Sequence, residues 1–301
     1  MKIGFIGTGQ MGKPMALNLL KAKHELNVFA RHPEKISDLK TAGASFRPSP
    51  AEAARASELL VLCLPTDAEV DEVVGGNEGL LAGASPGTVV LDATTGTPAA
   101  AQRVARNLKA KGIEYLDAPI SGGVKGAVEG KLTFMAGGED RAIDQAVPAM
   151  EAMGTTIFRV GPVGTGRMVK ALNQIITGMN VLILCESVVL AQKAGVTPER
   201  VFEILSKCSA NSYHLQTKLP QFIIPGKFDG GFRIDLMIKD LEIALQTAKE
   251  LKTPMLFTGM ATQVYRAASA GGYGSKDISV MANFLGSFVG VDFWAKNREN
   301  F

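Results

Sequence analysis

Residues 2–12 read Lys2-Ile3-Gly4-Phe5-Ile6-Gly7-Thr8-Gly9-Gln10-Met11-Gly12, an apolar run that passes straight into three glycines spaced as GxGxxG. The amphipathic segment Met11 to Ala22 follows at once, so the stretch opens a strand–turn–helix unit. Each glycine has its own task in that setting. Gly7 makes the turn, Gly9 lets a pyrophosphate approach the backbone, and Gly12 permits close packing of helix on strand. The free N–H groups at the helix start, around Gln10 and Met11, are then available to phosphate. The unit predicts dinucleotide binding. The next apolar run, Leu26 to Ala30, ends in Arg31 and His32, with no carboxylate to hold the ribose 2′-hydroxyl of NAD. A guanidinium there pairs with a 2′-phosphate, so NADP is expected in preference to NAD, which stays possible. A solvated Arg31 partnered by Glu34 is the alternative.

Outward from this unit, short Val, Ile and Leu runs alternate with Ala-rich, charge-dotted segments up to about residue 160, the pattern of strands crossed over by helices. Strands are expected at Lys2–Ile6, Leu26–Ala30, Leu59–Leu64, Thr88–Asp92, Glu114–Leu116, Leu132–Ala136 and Thr156–Arg159, forming a parallel sheet. Helices are expected at Met11–Ala22, Pro33–Ala42, Ala68–Val74, Pro98–Lys111 and Glu139–Met153. After Gly161-Pro-Val-Gly-Thr-Gly166 the pattern becomes wholly helical. Arg167 to Ala194 contains no Pro and reads as one helix of about 42 Å. Gly195, Thr197 and Pro198 end it and start the next. Further helices are expected at Pro198–Lys207, Leu236–Leu251, Pro254–Ala270 and Ile278–Phe288. The fold class is therefore α/β: a Rossmann-type doubly wound sheet in residues 1–163, then an all-helical domain in 164–301, joined by the long helix.

Composition limits the function. Hydrophobic residues make up 46% and charged residues 20%, as in an ordinary globular chain, and the net charge is only +3. So slight and even an excess argues against a nucleic-acid partner. The longest uncharged apolar stretches, Ala171 to Cys185 and Ile278 to Val291, fall short of a bilayer span, so no membrane partner is expected. No signal peptide precedes the first strand, which points to the cytoplasm. Cys63, Cys185 and Cys208 lack CxxC spacing and read as buried reduced thiols, and His24, His32 and His214 form no ligand pair. No metal is expected.

The most distinctive stretch is Asp117-Ala-Pro-Ile-Ser121-Gly122-Gly123-Val-Lys-Gly126-Ala127-Val-Glu-Gly130-Lys-Leu132. A Ser hydroxyl followed by two glycines offers O–H and unshielded N–H donors to a small carboxylate or hydroxyl, although a plain Gly-rich turn has the same composition. Farther on, Gly164-Thr-Gly166-Arg-Met-Val-Lys170-Ala-Leu-Asn173-Gln174 heads the long helix. Lys170, Asn173, Gln174 and Thr177 share one helix face. A polar stripe with a Lys in so apolar a helix must meet water, a partner or a ligand, or else the Lys reaches back to solvent from near the helix start.

These two segments resemble the β-hydroxyacid dehydrogenase family, whose DAPVSGGxxGAxxGxL motif is matched with Ile120 in place of Val and whose GxGxxxKxxN motif is matched through Asn173. The resemblance implies that Lys170 is the catalytic acid or base, that Ser121, Gly122, Gly123, Asn173 and Thr95 bind substrate, and that Leu64 and Pro65 line the cofactor. It also implies that Thr95 lies near the nicotinamide and that Lys239, in a Lys239-Asp240-Leu segment, approaches the cofactor, with Gln174 and Asp240 supporting. Gln174 departs from the second Asn of many members. Asn173-Gln174 and the segment from Gly231 to Leu241 look most like the tartronate semialdehyde reductases, which interconvert tartronate semialdehyde and D-glycerate. The alternatives are 3-hydroxyisobutyrate dehydrogenase, a glyoxylate or succinic semialdehyde reductase, and, from another class, a non-catalytic NADPH-binding sensor. An imine reductase of this architecture typically lacks the Lys. Tyr213 and Phe232 are candidate specificity residues, and a homodimer or homotetramer is expected.

Overall fold

The computed structural model describes residues 1–294. Two compact units divide the chain, Met1–Ala171 and Leu172 onward.

The first unit holds nine strands: β1 (Lys2–Ile6), β2 (Glu25–Phe29), β3 (Ser45–Phe46), β4 (Leu59–Leu62), β5 (Val89–Asp92), β6 (Glu114–Asp117), β7 (Ile120–Ser121), β8 (Leu132–Gly137) and β9 (Gly154–Gly161). Its helices are α1 (Gly12–Lys21), α2 (Ser37–Thr41), α3 (Pro50–Arg55), α4 (Asp67–Gly75), α5 (Leu80–Gly83), α6 (Pro98–Lys109), α7 (Gly123–Glu129) and α8 (Asp140–Met153). Strand order is β3-β2-β1-β4-β5-β6-β8-β7, and β9 pairs with β8. The first six strands of that order are all parallel. Both faces are covered. Leu59 and Val61 pack with Met15, Leu19, Ile143 and Met150 on one side, while Leu60 and Leu62 pack with Val70, Val104 and Leu108 on the other. This is why β4 reads as a continuous apolar run with no alternation.

The sheet is not wholly parallel as expected. β8 runs antiparallel to β6 and β7. A parallel return needs a crossover of a dozen or more residues. Only the short α7, about 10 Å long at 1.5 Å per residue, lies between β7 and β8, so the chain turns back beside the strand it has just left. The longer α8 then carries β9 back parallel to β8.

α9 (Thr165–Lys193) begins in the first unit and continues into the second. The second unit adds α10 (Pro198–Leu205), α11 (Tyr213–Lys218), α12 (Ile234–Glu250), α13 (Leu256–Ala268) and α14 (Met281–Ser287). Thr197 caps α10 by accepting the Arg200 N–H at 3.3 Å. Val181, Cys185 and Val188 of α9 form its core with Met237, Leu241, Tyr265 and Met281.

Two composition-based expectations change. α9 contains an 18-residue window of mean hydropathy 1.7 and is long and apolar enough to cross a membrane, contrary to the run-length estimate. Cys185 is buried, but Cys63 is half-buried and Cys208 exposed; all three are free. Most of the 278–291 segment is already covered, since Ile278, Val280, Met281 and Ala282 are buried and only Phe288 and Val289 stand out among its large apolar side chains.

Candidate active site

Because β1, β2, β4, β5 and β6 run parallel, their C-terminal ends share one edge, and strand order diverges to either side of the β1–β4 pair. Open sheets of this kind bind ligands outside that edge, at the switch point. The sequence-predicted residues of the first unit converge there. Gly7, Gly9, Gln10, Met11 and Gly12 follow β1, Arg31 follows β2, Leu64 and Pro65 follow β4, Thr95 follows β5, and Ser121 with Gly122 and Gly123 lies just beyond β6.

The glycine loop fits a dinucleotide phosphate. Gly7 has φ +101°, and a Cβ on it would lie 2.2 Å from the Cys63 carbonyl oxygen. A Cβ on Gly9 meets nothing within 4 Å, which leaves an open cradle. Arg31 is 65% exposed, and its guanidinium lies 3.6 Å from Glu69 of α4. Glu34 instead faces His32 at 3.3 Å, so the partner named in the alternative reading is corrected. Arg31 thus projects from the edge with one weak, solvent-screened contact.

Thr94 and Thr95 divide in role. Thr94 is buried, accepts the Leu64 N–H at 3.0 Å and donates its own N–H to Asp92 at 2.9 Å. It ties the β4 and β5 ends together, leaving the half-buried Thr95 as the reachable one. Gly122 and Gly123 have φ +128° and +62°, conformations that only glycine adopts cheaply in succession.

On α9 the polar stripe is the less exposed side, with Asn173 and Thr177 half-buried. Lys170 is 8% exposed and Gln174 is buried, whereas Leu172, Ile176, Ile183 and Leu190 are exposed. Within the second unit, Asn173 donates to Gln174 Oε1 at 2.8 Å, and Gln174 Nε2 donates in turn to Asp240. Lys239 Nζ lies 3.1 Å from Asp240 Oδ1. Gln174, the departure from Asn, thus joins α9 to Asp240 on α12. Tyr213 is exposed, and Phe232, half-buried, donates its N–H to Asp277 at 2.8 Å. Among the described residues no group of His, Cys, Asp or Glu is placed to hold a metal ion.

One cluster escaped the sequence reading. Arg167 is fully buried; its Nη2 lies 2.7 Å from Asp92 and its Nη1 lies 2.7 Å from Asp67 and 3.1 Å from the Thr97 carbonyl. Tyr115 donates to Asp92 at 2.6 Å, and burial, then the Asp92 charge, holds its phenol well above the usual range, so it stays a donor. Asp117 accepts the N–H groups of Gly164 at 2.7 Å and Arg167 at 2.8 Å. Burial lifts the Asp117 carboxyl to about 7 even against those two bonds. Only part of this was signalled in the sequence: an Arg in an apolar helix head must be paired, but which carboxylates meet it is set by the order of the strands.

Residues 2–161 match the family described as the NAD binding domain of 6-phosphogluconate dehydrogenase. Residues 164–285 match that described as NAD-binding of NADP-dependent 3-hydroxyisobutyrate dehydrogenase. The chain is 38% identical over 291 residues to 2-(hydroxymethyl)glutarate dehydrogenase of Eubacterium barkeri, covering 97% of each protein. The chain belongs to the β-hydroxyacid dehydrogenase family. This β-hydroxyacid dehydrogenase is also 35% identical over 289 residues to the NAD-dependent L-serine dehydrogenase of Pseudomonas aeruginosa, covering 93% of the chain and 96% of that protein. The solved Mycobacterium tuberculosis 3-hydroxyisobutyrate dehydrogenase with L-serine matches its fold at TM-score 0.87 and 29% identity, over 94% of this chain and 98% of that one. As a member of the family it is an NAD(P)-dependent oxidoreductase acting on CH–OH groups.

Proposed function

We propose that this enzyme interconverts a small carboxylated aldehyde and its hydroxy acid, with tartronate semialdehyde and D-glycerate as the pair and NADPH as the preferred cofactor. The observation that carries the reading is the buried Lys170 on the inward polar face of α9, three residues beyond a helix head fixed to the sheet edge. The substrates named for the relatives support it. 2-(Hydroxymethyl)glutarate, L-serine and 3-hydroxyisobutyrate all have the form HOCH2–CHR–COO⁻, and D-glycerate is the member with R = OH.

A bound nicotinamide cofactor supplies the hydride in reduction and accepts it in oxidation. Lys170 Nζ donates a proton to the carbonyl oxygen as negative charge develops there, and takes the proton back from the alcohol in the reverse direction. The Ser121 hydroxyl and the Gly122 and Gly123 N–H groups bind the carboxylate, which orients the aldehyde. Thr95 and Asn173 contact the substrate, with Asn173 held by Gln174 and Asp240. Leu64, Pro65, Lys239 and the glycine loop hold the cofactor, and Arg31 takes its 2′-phosphate. The subunits assemble as a homodimer or homotetramer.

The test is loss of NADPH absorbance with tartronate, methylmalonate and succinic semialdehydes and glyoxylate, measured as kcat/KM. Tartronate semialdehyde is expected to be the best substrate. A clear preference for succinic semialdehyde, whose product lacks the HOCH2–CHR–COO⁻ form, would contradict the substrate class. Tight NADPH binding without turnover of any of them would mark a sensor.

A further inference from the structure

We propose that Arg167 is a positioning residue for Lys170, locking the head of α9 onto the loops that carry the cofactor and substrate groups; the proposal rests on reading Lys170 as the proton donor.

Arg167 stands one helical turn before Lys170, so the two side chains project from neighbouring positions of the same helix. Its guanidinium reaches three separate segments of the sheet edge. Asp67 opens α4 just past Leu64-Pro65, Asp92 ends β5 just before Thr94-Thr95, and the Thr97 carbonyl belongs to the cap of α6. The backbone of the same residue is held from a fourth side, where Asp117 at the end of β6 accepts the Arg167 N–H. Gly166 lets the helix head pack directly on strand backbone, since a Cβ there would lie 2.2 Å from the Met135 oxygen and 2.4 Å from that of Asp117.

Stability alone does not call for this arrangement. A buried ion cluster is often no more stable than apolar packing of the same volume, because desolvating the charges offsets their attraction. A planar fork with several donors in fixed directions does supply orientation, which a single ammonium does not. The cluster therefore sets where the Lys170 backbone lies relative to Thr95 and Ser121 on the same edge. Misplacing a proton donor by about 1 Å costs on the order of 100-fold in rate.

The experiment combines Arg167→Lys and Asp67→Asn, each alone and in a Lys170→Ala background, with kcat, KM, NADPH affinity and thermal melting. Asp67 is partly exposed, so Asp67→Asn is the variant that keeps folding intact. In the Lys170 enzyme both variants should lower kcat, Arg167→Lys by about tenfold or more, with NADPH affinity within about threefold. In the Lys170→Ala background neither should lower the residual rate further, because the group they position is gone. Equal losses in both backgrounds, or an unchanged kcat, would overturn the positioning role while leaving Lys170 as donor. If Lys170→Ala itself keeps its kcat, the donor assignment fails first and the positioning role falls with it.

Discussion

A Cβ placed on Gly12 would lie 1.8 Å from the carbonyl oxygen of Gly7. The clash is with backbone, so no rotamer relieves it, and the first turn of α1 packs against the end of β1 only because Gly12 has no side chain. Gly9, two residues beyond Gly7, faces open space. The two glycines therefore separate fold from ligand. Gly12→Ala should lower the melting temperature markedly or prevent folding. Gly9→Ala should melt like the wild type yet bind NADPH at least about tenfold more weakly, because its methyl fills the place of the phosphate. Thermal melts beside fluorescence titration check both; a Gly9→Ala protein with wild-type affinity would place the phosphate elsewhere.

Arg31 lies exposed beyond β2, with Glu69 at 3.6 Å as a weak neighbour. Losing a charge-assisted contact to a 2′-phosphate should cost about 1.5 to 3 kcal/mol of NADPH binding and nothing with NADH. The ratio of kcat/KM for the two cofactors in Arg31→Ala should move toward NADH by on the order of tenfold to 100-fold. An unmoved ratio would remove Arg31 from cofactor choice.

Asp117 gives a pH dependence with a defined sign. Burial raises its carboxyl from 3.8 to about 7, so the folded protein keeps a proton that the unfolded chain releases near pH 4. The resulting stability is fully present below about pH 4 and is lost as pH rises through 7, on the order of 4 kcal/mol across that window. Asp117→Asn cannot titrate. The stability of the wild type relative to Asp117→Asn should therefore fall between pH 4 and 7 in denaturant titrations. A difference independent of pH would mean that Asp117 is ionised throughout.

The outward face of α9 carries Leu172, Ile176, Ile183 and Leu190, spaced four and seven residues apart and exposed, Ile176 by 61% and Leu190 by 71%. Such a stripe is unusual on the surface of a monomer. Light scattering should give a multiple of 31.8 kDa for the wild type and a lower mass for the double variant Ile176→Glu, Leu190→Glu. A wild-type mass of one chain at micromolar concentration would contradict self-association.

Much of the first unit was legible in the sequence because β1, β4 and β5 are buried on both faces and so appear as unbroken apolar runs between turns. β3 and β7 span two residues each, too short for any periodicity to show. The reversal at β8 follows from the shortness of α7, which a Gly-rich stretch conceals. The Arg167 cluster depends on which strands become neighbours. Asp92 and Asp117 are register partners on β5 and β6, a pairing set by sheet order and invisible in a linear reading. The inward orientation of the Lys170 stripe was equally hidden, since helical periodicity groups residues on a face without saying which face packs.

The role of Lys170 as proton donor is tested most directly by kcat for Lys170→Ala measured beside NADPH affinity. The glycine loop and Arg31 are untouched by the substitution, so cofactor affinity should stay within about threefold of wild type. kcat should fall by roughly 10²- to 10⁴-fold, as expected for a lost general acid. Lys170→Arg should fail as well, because a guanidinium does not give up its proton at these pH values. A kcat for Lys170→Ala within about tenfold of wild type, with cofactor binding intact, would contradict the assignment and move proton transfer to another group.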